Sequence, residues 1–134
     1  ADIVKRFLCI ALLLSTLFIF CACSSTNVNS NADVELTFIY AEQSIIAVLP
    51  DNEAAKIIHI LDHKRYDPIF AGVPSCGFDK NISLKVGDNI YAIACDTCNT
   101  VQDQGNLRYF SVTQEEMDYI HSLFKKYGGY FPCI

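Results

Sequence analysis

The sequence predicts an α+β domain in which an antiparallel sheet of four to six strands carries two helices packed on one face. Segments with alternating apolar residues occur in pairs joined by short turns, and two further segments have apolar residues at helical spacing. Antiparallel strands can be joined by such short turns, whereas parallel strands need long crossovers. The predicted order, β-β-α-β-β-β-β-α, is typical of an α+β fold.

The first hairpin and the first helix are predicted from residues 34–64. Residues 34–40 alternate as a strand with one strongly apolar face, and 45–49 form a second apolar run after a break at 41–44. Asp51 is a candidate helix cap, and residues 52–64 then carry apolar side chains at helical spacing.

Four more strands and a second helix are predicted from the rest of the chain. Residues 65–79 contain two prolines and two glycines and predict a long loop. The strand segments that follow are 82–86, 90–95, 100–101 and 107–112. Thr113 and Glu116 have the spacing of a capping box, which predicts a helix that ends near Gly128.

Length and charge limit the classes of function. A chain of 134 residues provides about one domain. Its formal net charge of -5 argues against a nucleic-acid partner, which needs a basic surface.

The N-terminal 22 residues differ in composition from the rest. Lys5 and Arg6 precede the uncharged run 7–22, in which fourteen of sixteen residues are apolar. A basic start, a short apolar stretch and small residues at its end are typical of a secretory signal peptide. Residues 1–22 are therefore predicted to be removed from the mature chain.

The end of this run, Phe20-Cys21-Ala22-Cys23, resembles the lipobox of bacterial lipoproteins. The resemblance implies that Cys23 carries a diacylglyceryl group and becomes the first residue after cleavage. It also implies an extracytoplasmic protein held on a bacterial cell membrane by that lipid. An ordinary cleaved signal peptide and an uncleaved anchor remain the alternatives.

Behind the lipidated Cys23, the Ser/Asn/Thr-rich residues up to 33 predict a flexible tether. The segment 23–33 therefore joins the lipid to a single α+β domain at 34–134.

Four cysteines of that domain are candidate disulfide residues: Cys76, Cys95, Cys98 and Cys133. An even number of cysteines in an exported chain predicts disulfides, but four cysteines allow three pairings. Bridges from Cys76 and Cys133 to Cys95 and Cys98 would secure a loop and the C-terminal tail. The cysteine spacing alone is compatible with more than one pairing.

Two other chemistries use the same cysteines. Cys95-Asp96-Thr97-Cys98 has the C-x-x-C spacing of thiol–disulfide oxidoreductases, although no predicted helix follows it to stabilise a thiolate. The four cysteines together are also a candidate Cys₄ zinc site. His59 and His63, at i and i+4 of the first predicted helix, lack the glutamate of a metalloprotease motif.

The sequence therefore predicts a small lipid-anchored binding domain rather than an enzyme. No catalytic, cofactor-binding or metal-binding residue is assigned. The expected partners are the membrane, through the lipid on Cys23, and an extracytoplasmic protein or small ligand. The sheet edges and the 65–79 loop are the expected binding surfaces.

Overall fold

A computed structural model describes residues 2–21, 24–40 and 42–128. The helices are α1 (Asp2–Cys21), α2 (Asp51–Leu61) and α3 (Gln114–Gly128), and a 3₁₀ turn covers Ile69–Ala71. The strands are β1 (Val34–Tyr40), β2 (Gln43–Val48), β3 (Ile82–Val86), β4 (Asn89–Ile93), β5 (Thr100–Asp103) and β6 (Arg108–Ser111).

The six strands form one antiparallel sheet in the order β2-β1-β3-β4-β5-β6. β1 therefore has β2 on one side and β3 on the other, and the later strands follow one another outward. The predicted α+β class and the order of elements after residue 33 are confirmed.

One face of the sheet forms the core. In β1, Val34, Leu36 and Phe38 are buried, whereas Glu35 and Thr37 between them are partly exposed. Phe38 meets Phe124 of α3 edge to face, with ring centroids 6.2 Å apart. Burying one such side chain stabilises the fold by about 1.5–3 kcal/mol.

The two helices of the domain are linked to each other as well as to the sheet. Lys56 of α2 lies 3.8 Å from the ring centroid of Tyr119 in α3. Glu53 of α2 pairs with Lys126 and accepts a hydrogen bond from the hydroxyl of Tyr127. These contacts join α2 and α3 into one layer over the core.

The start of α3 is capped as its local sequence predicts, whereas the start of α2 is not. The backbone N–H of Glu116 donates to Thr113 Oγ1 at 3.1 Å, and that of Thr113 donates to Glu116 Oε2 at 2.8 Å, which confirms the capping box. Asp51 is instead the first helical residue, and Pro50 occupies the N-cap position. The prediction that Asp51 caps α2 was therefore wrong.

Residues 24–28 are part of the folded domain, so the prediction of a flexible tether there was wrong. Thr26 is 1 % exposed, and its hydroxyl donates to Leu61 O at 2.6 Å and accepts from the Lys64 N–H at 2.7 Å. Val28 is buried, and its N–H donates to Asp62 Oδ1 at 2.9 Å. Composition suggested a linker, but these tertiary hydrogen bonds hold the segment in place.

The first helix differs from the other two in its exposure. Its described apolar side chains lie outside the core and stay exposed; they include Ile3, Val4, Phe7, Leu8, Ile10 and Leu12. In the part of the chain that the structure describes, no helix has the length and hydropathy required to span a membrane.

Candidate functional site: the Cys76–Cys98 loop and the apolar tip

Cys76 and Cys98 form a disulfide, with their Cα atoms 5.8 Å apart. They are separated by 22 residues, and the closed loop contains β3 and β4. Closing a loop of this length stabilises the fold by about 3 kcal/mol in the chain-entropy account. The bridge therefore fastens the long loop before β3 to the turn between β4 and β5.

Asp96 holds the two sides of this bridge together. Its Oδ2 accepts the Gly77 N–H at 2.7 Å, and its Oδ1 accepts the Cys98 N–H at 3.0 Å. The hydrogen bond from Gly77, followed by that from Cys98, lowers the pKa of Asp96. Both carboxylate oxygens of Asp96 thus accept hydrogen bonds from the backbone of the disulfide-closed loop.

Cys95 is also disulfide-bonded, and it is buried at 5 % exposure. Its N–H donates to Gly77 O at 2.8 Å, which ties it to the same loop. Cys133 and Cys23, the other predicted site residues, lie outside the described residues.

The geometry of Cys95 and Cys98 differs from that of a redox pair. Cys98 is bonded to Cys76 rather than to Cys95. The motif lies between two strands, β4 and β5, so no helix N-terminus follows it to stabilise a thiolate. Burial of Cys95 further limits attack by a substrate thiol.

A metal site at this place would need the same sulfur atoms. The sulfurs of Cys76 and Cys98 and a carboxylate oxygen of Asp96 lie within 4.8 Å of one another. In the disulfide, however, neither sulfur is a thiolate, which is the form that binds zinc.

A shallow depression beside the bridge is lined by Gly77, Phe78, Asp79, Lys80, Cys95 and Asp96.

The histidines do not supply an alternative metal pair. α2 ends at Leu61, and His63 has a left-handed backbone with φ 54°. His59 and His63 therefore do not share a helix face. His121 Nε2 lies 3.2 Å from Ala94 O, and burial lowers the pKa of its imidazole.

A second feature of the domain is a cluster of exposed apolar side chains, here called the apolar tip. It consists of Ile69 (79 % exposed), Phe70 (93 %), Val73 (79 %) and Leu107 (69 %). The loop 67–73 and the turn before β6 border a common groove, which Ile69, Val73 and Leu107 help to line. Sequence reasoning predicted a loop at 65–79 but missed its apolar end and Leu107. The signal was present, because residues 68–74 contain no polar side chain although loops are usually polar.

A hydrogen-bonded cluster holds the base of the apolar tip. The Tyr66 hydroxyl donates to Asp103 Oδ2 at 2.6 Å and accepts from Asn106 Nδ2 at 3.2 Å. Arg108 donates to Asp67 O at 2.9 Å, and its guanidinium lies 5.0 Å from the Tyr66 ring centroid.

The tyrosines near this cluster keep their protons at neutral pH. Burial, followed by the hydrogen bond to Asp103, raises the pKa of Tyr66. Burial also raises the pKa of Tyr91 to about 12, and the charge of Asp103 adds to the effect. The cluster therefore stabilises the loop through hydrogen bonds to neutral tyrosine and does not provide a tyrosinate.

The domain thus presents a loop held by hydrogen bonds, a turn held by the Cys76–Cys98 disulfide, and the exposed apolar tip. The carboxylates of Asp96 and Asp103 are engaged in hydrogen bonds within the fold. No protein-family model, curated protein or solved structure matches this chain.

Proposed function

We propose that this protein is a lipid-anchored bacterial lipoprotein on the extracytoplasmic face of the cell membrane, and that its domain binds a partner without catalysis. The observation that carries the proposal is the N-terminal segment. An apolar run ends at Phe20-Cys21-Ala22-Cys23, immediately before the folded domain begins at Ser24. The described apolar side chains of α1 remain exposed rather than joining the core, as expected of a segment meant for a membrane.

The disulfide chemistry supports the exported location. Cys76–Cys98 is formed and Cys95 is bonded, and disulfides persist in oxidising compartments. With Cys98 bonded to Cys76, the two-disulfide expectation leaves Cys133 as the partner that we propose for Cys95.

The binding role is supported by the free edge of the sheet. Among the described residues, β2 pairs only with β1, so its outer edge has unpaired backbone groups. Ile46 and Val48 on this strand are each 61 % exposed. An exposed edge with apolar side chains is suited to a protein that adds a strand. The proposed partner is therefore an extracytoplasmic protein with an extended segment.

The test of the anchor compares two neighbouring cysteines. The full chain, behind an initiator Met, is produced in a bacterium with an alkyne fatty acid, and Cys23→Ser is compared with Cys21→Ser. We expect label and membrane localisation for the wild type and Cys21→Ser, and neither for Cys23→Ser. Cys21→Ser is the matched control, since both variants remove one thiol from the same motif.

A wild-type chain without label, or label lost on Cys21→Ser alone, would overturn the assignment of Cys23. Label on Cys23 together with turnover in a thiol–disulfide assay would keep the anchor and overturn the non-catalytic role.

A further inference from the structure

The chain enters the domain beside the segment 64–66, which leads into the apolar tip. Ser25 pairs antiparallel with Arg65, and Ser24 O accepts the Tyr66 N–H at 2.9 Å. Because the two segments are antiparallel, going from Thr26 back to Ser24 follows the same direction as going from residue 64 forward to Pro68. At Ser24 the chain direction, taken towards the N-terminus, therefore points to the end of the domain that carries the tip.

The distance between the two features is short. Phe70 is four residues beyond Tyr66, so even a fully extended chain places their Cα atoms within about 14 Å. Tyr66 is hydrogen-bonded to Ser24, and paired Cα atoms lie about 5 Å apart, so Phe70 lies within about 20 Å of Ser24, the residue that follows Cys23.

The tip is built to be exposed rather than packed. Gly72 has φ 75°, and its N–H donates to Ile69 O at 3.3 Å, which closes a tight turn around Phe70. Leu107 has φ 56°, a conformation that favours glycine or asparagine, yet it is a leucine with 69 % of its surface exposed. The domain gains little packing from Leu107, so this side chain is available to a surface outside the domain.

The surroundings of the tip suit a phospholipid surface. Arg65, next to Tyr66, is exposed and can meet anionic headgroups. Aromatic and aliphatic side chains at a loop end fit the boundary between headgroups and acyl chains, where apolar groups sink about 5–10 Å.

We propose that the apolar tip inserts into the same bilayer that holds the lipid on Cys23, which rests on the proposed function. The lipid provides attachment, and the tip sets orientation. The edge of the sheet at β6 then faces the membrane. The edge at β2, at the other end of the strand order, faces away and remains open to a partner.

The absence of tryptophan from the chain allows a direct test. The full-length lipidated protein carrying Phe70→Trp is reconstituted into vesicles of phosphatidylcholine and phosphatidylglycerol, with and without brominated acyl chains. Ile46→Trp, on the exposed β2 strand, is the matched control. Flotation of the vesicles reports the anchor, and quenching by bromine reports contact of the indole with acyl chains.

We expect both variants to float, with the indole emission of Phe70→Trp reduced about twofold by brominated lipid and that of Ile46→Trp unchanged. Flotation with the Phe70→Trp emission as unquenched as that of Ile46→Trp would overturn membrane insertion and leave the anchor intact. Equal quenching of both variants would overturn the orientation. A blue-shifted but unquenched emission from Phe70→Trp would overturn insertion by showing a protein contact instead of a lipid one. Failure to float would overturn the anchor and the insertion together.

Discussion

The carboxylate of Asp96 accepts the backbone N–H of Gly77 at 2.7 Å, across 19 residues of sequence. The same side chain accepts the N–H of Cys98, so it holds both stretches of chain that the Cys76–Cys98 disulfide joins. The bridge is thus supported by hydrogen bonds as well as by the covalent link.

Replacing Asp96 with Ala is expected to make this disulfide several-fold faster to reduce. The two N–H groups lose their acceptor, so the loop opens more often and exposes the sulfurs. Mass spectrometry of alkylated samples, taken during reduction by a phosphine at pH 7, measures the rate. Asp88→Ala, at an exposed position in the β3–β4 turn, is the control, and equal rates for the two variants would contradict the role of Asp96.

Thr26→Val is expected to lower the free energy of unfolding by about 2 kcal/mol. Valine keeps the branched shape, but Leu61 O and the Lys64 N–H lose the hydroxyl that they share in a buried place. Urea denaturation gives the value. Thr37→Val, on the outward face of β1, should change stability by less than about 0.5 kcal/mol. A similarly small effect at Thr26 would mean that residues 24–28 are not part of the cooperative fold.

The half-buried imidazole of His121 predicts a pH dependence of stability. Burial lowers its pKa in the folded protein, so the folded state favours the neutral ring. As the pH falls below the ordinary histidine value of about 6.5, the unfolded chain binds a proton more readily. Stability is therefore full above that pH and declines until the pH passes the lowered folded value.

His121→Gln removes this titration and should flatten the stability profile between pH 7 and pH 5. His59→Gln, at an exposed position of α2, should leave the profile like that of the wild type. Denaturation curves at several pH values measure both, and a wild-type slope in His121→Gln would assign the pH dependence to another group.

The exported protein is expected to be inactive in reduction of insulin by dithiothreitol. Cys98 is bonded to Cys76, and Cys95 is buried and bonded as well. Turbidity of the insulin B chain measures the rate, and thioredoxin provides the positive control. Acceleration that disappears in Cys95→Ser would instead support the oxidoreductase alternative.

Local patterns were sufficient to predict most of the fold. The alternation at 34–40 and 82–86 marks buried strands because successive side chains point to opposite faces of a sheet. Thr113 and Glu116 marked the start of α3 because the capping box is made within four residues. Such interactions depend on near neighbours in the sequence.

The errors arose where distant contacts decide the structure. Thr26 lies in a stretch of linker-like composition, and only Leu61 O and the Lys64 N–H, more than thirty residues away, make it a buried position. His63 continues a helical spacing, but the chain turns to a left-handed conformation after α2 ends. Leu107 joins the apolar tip because β6 brings it beside the 67–73 loop, a juxtaposition that no local pattern contains.

The intact mass of the mature protein extracted from membranes tests most directly whether a disulfide-bonded domain is anchored through Cys23. The protein is denatured without reductant, alkylated and weighed. A disulfide-stapled lipoprotein is expected to give a chain that begins at Cys23, carries the mass of the lipid and contains no alkylated cysteine. A chain that begins elsewhere without lipid, or one with alkylated cysteines among Cys76, Cys95, Cys98 and Cys133, would contradict a disulfide-stapled domain anchored through Cys23.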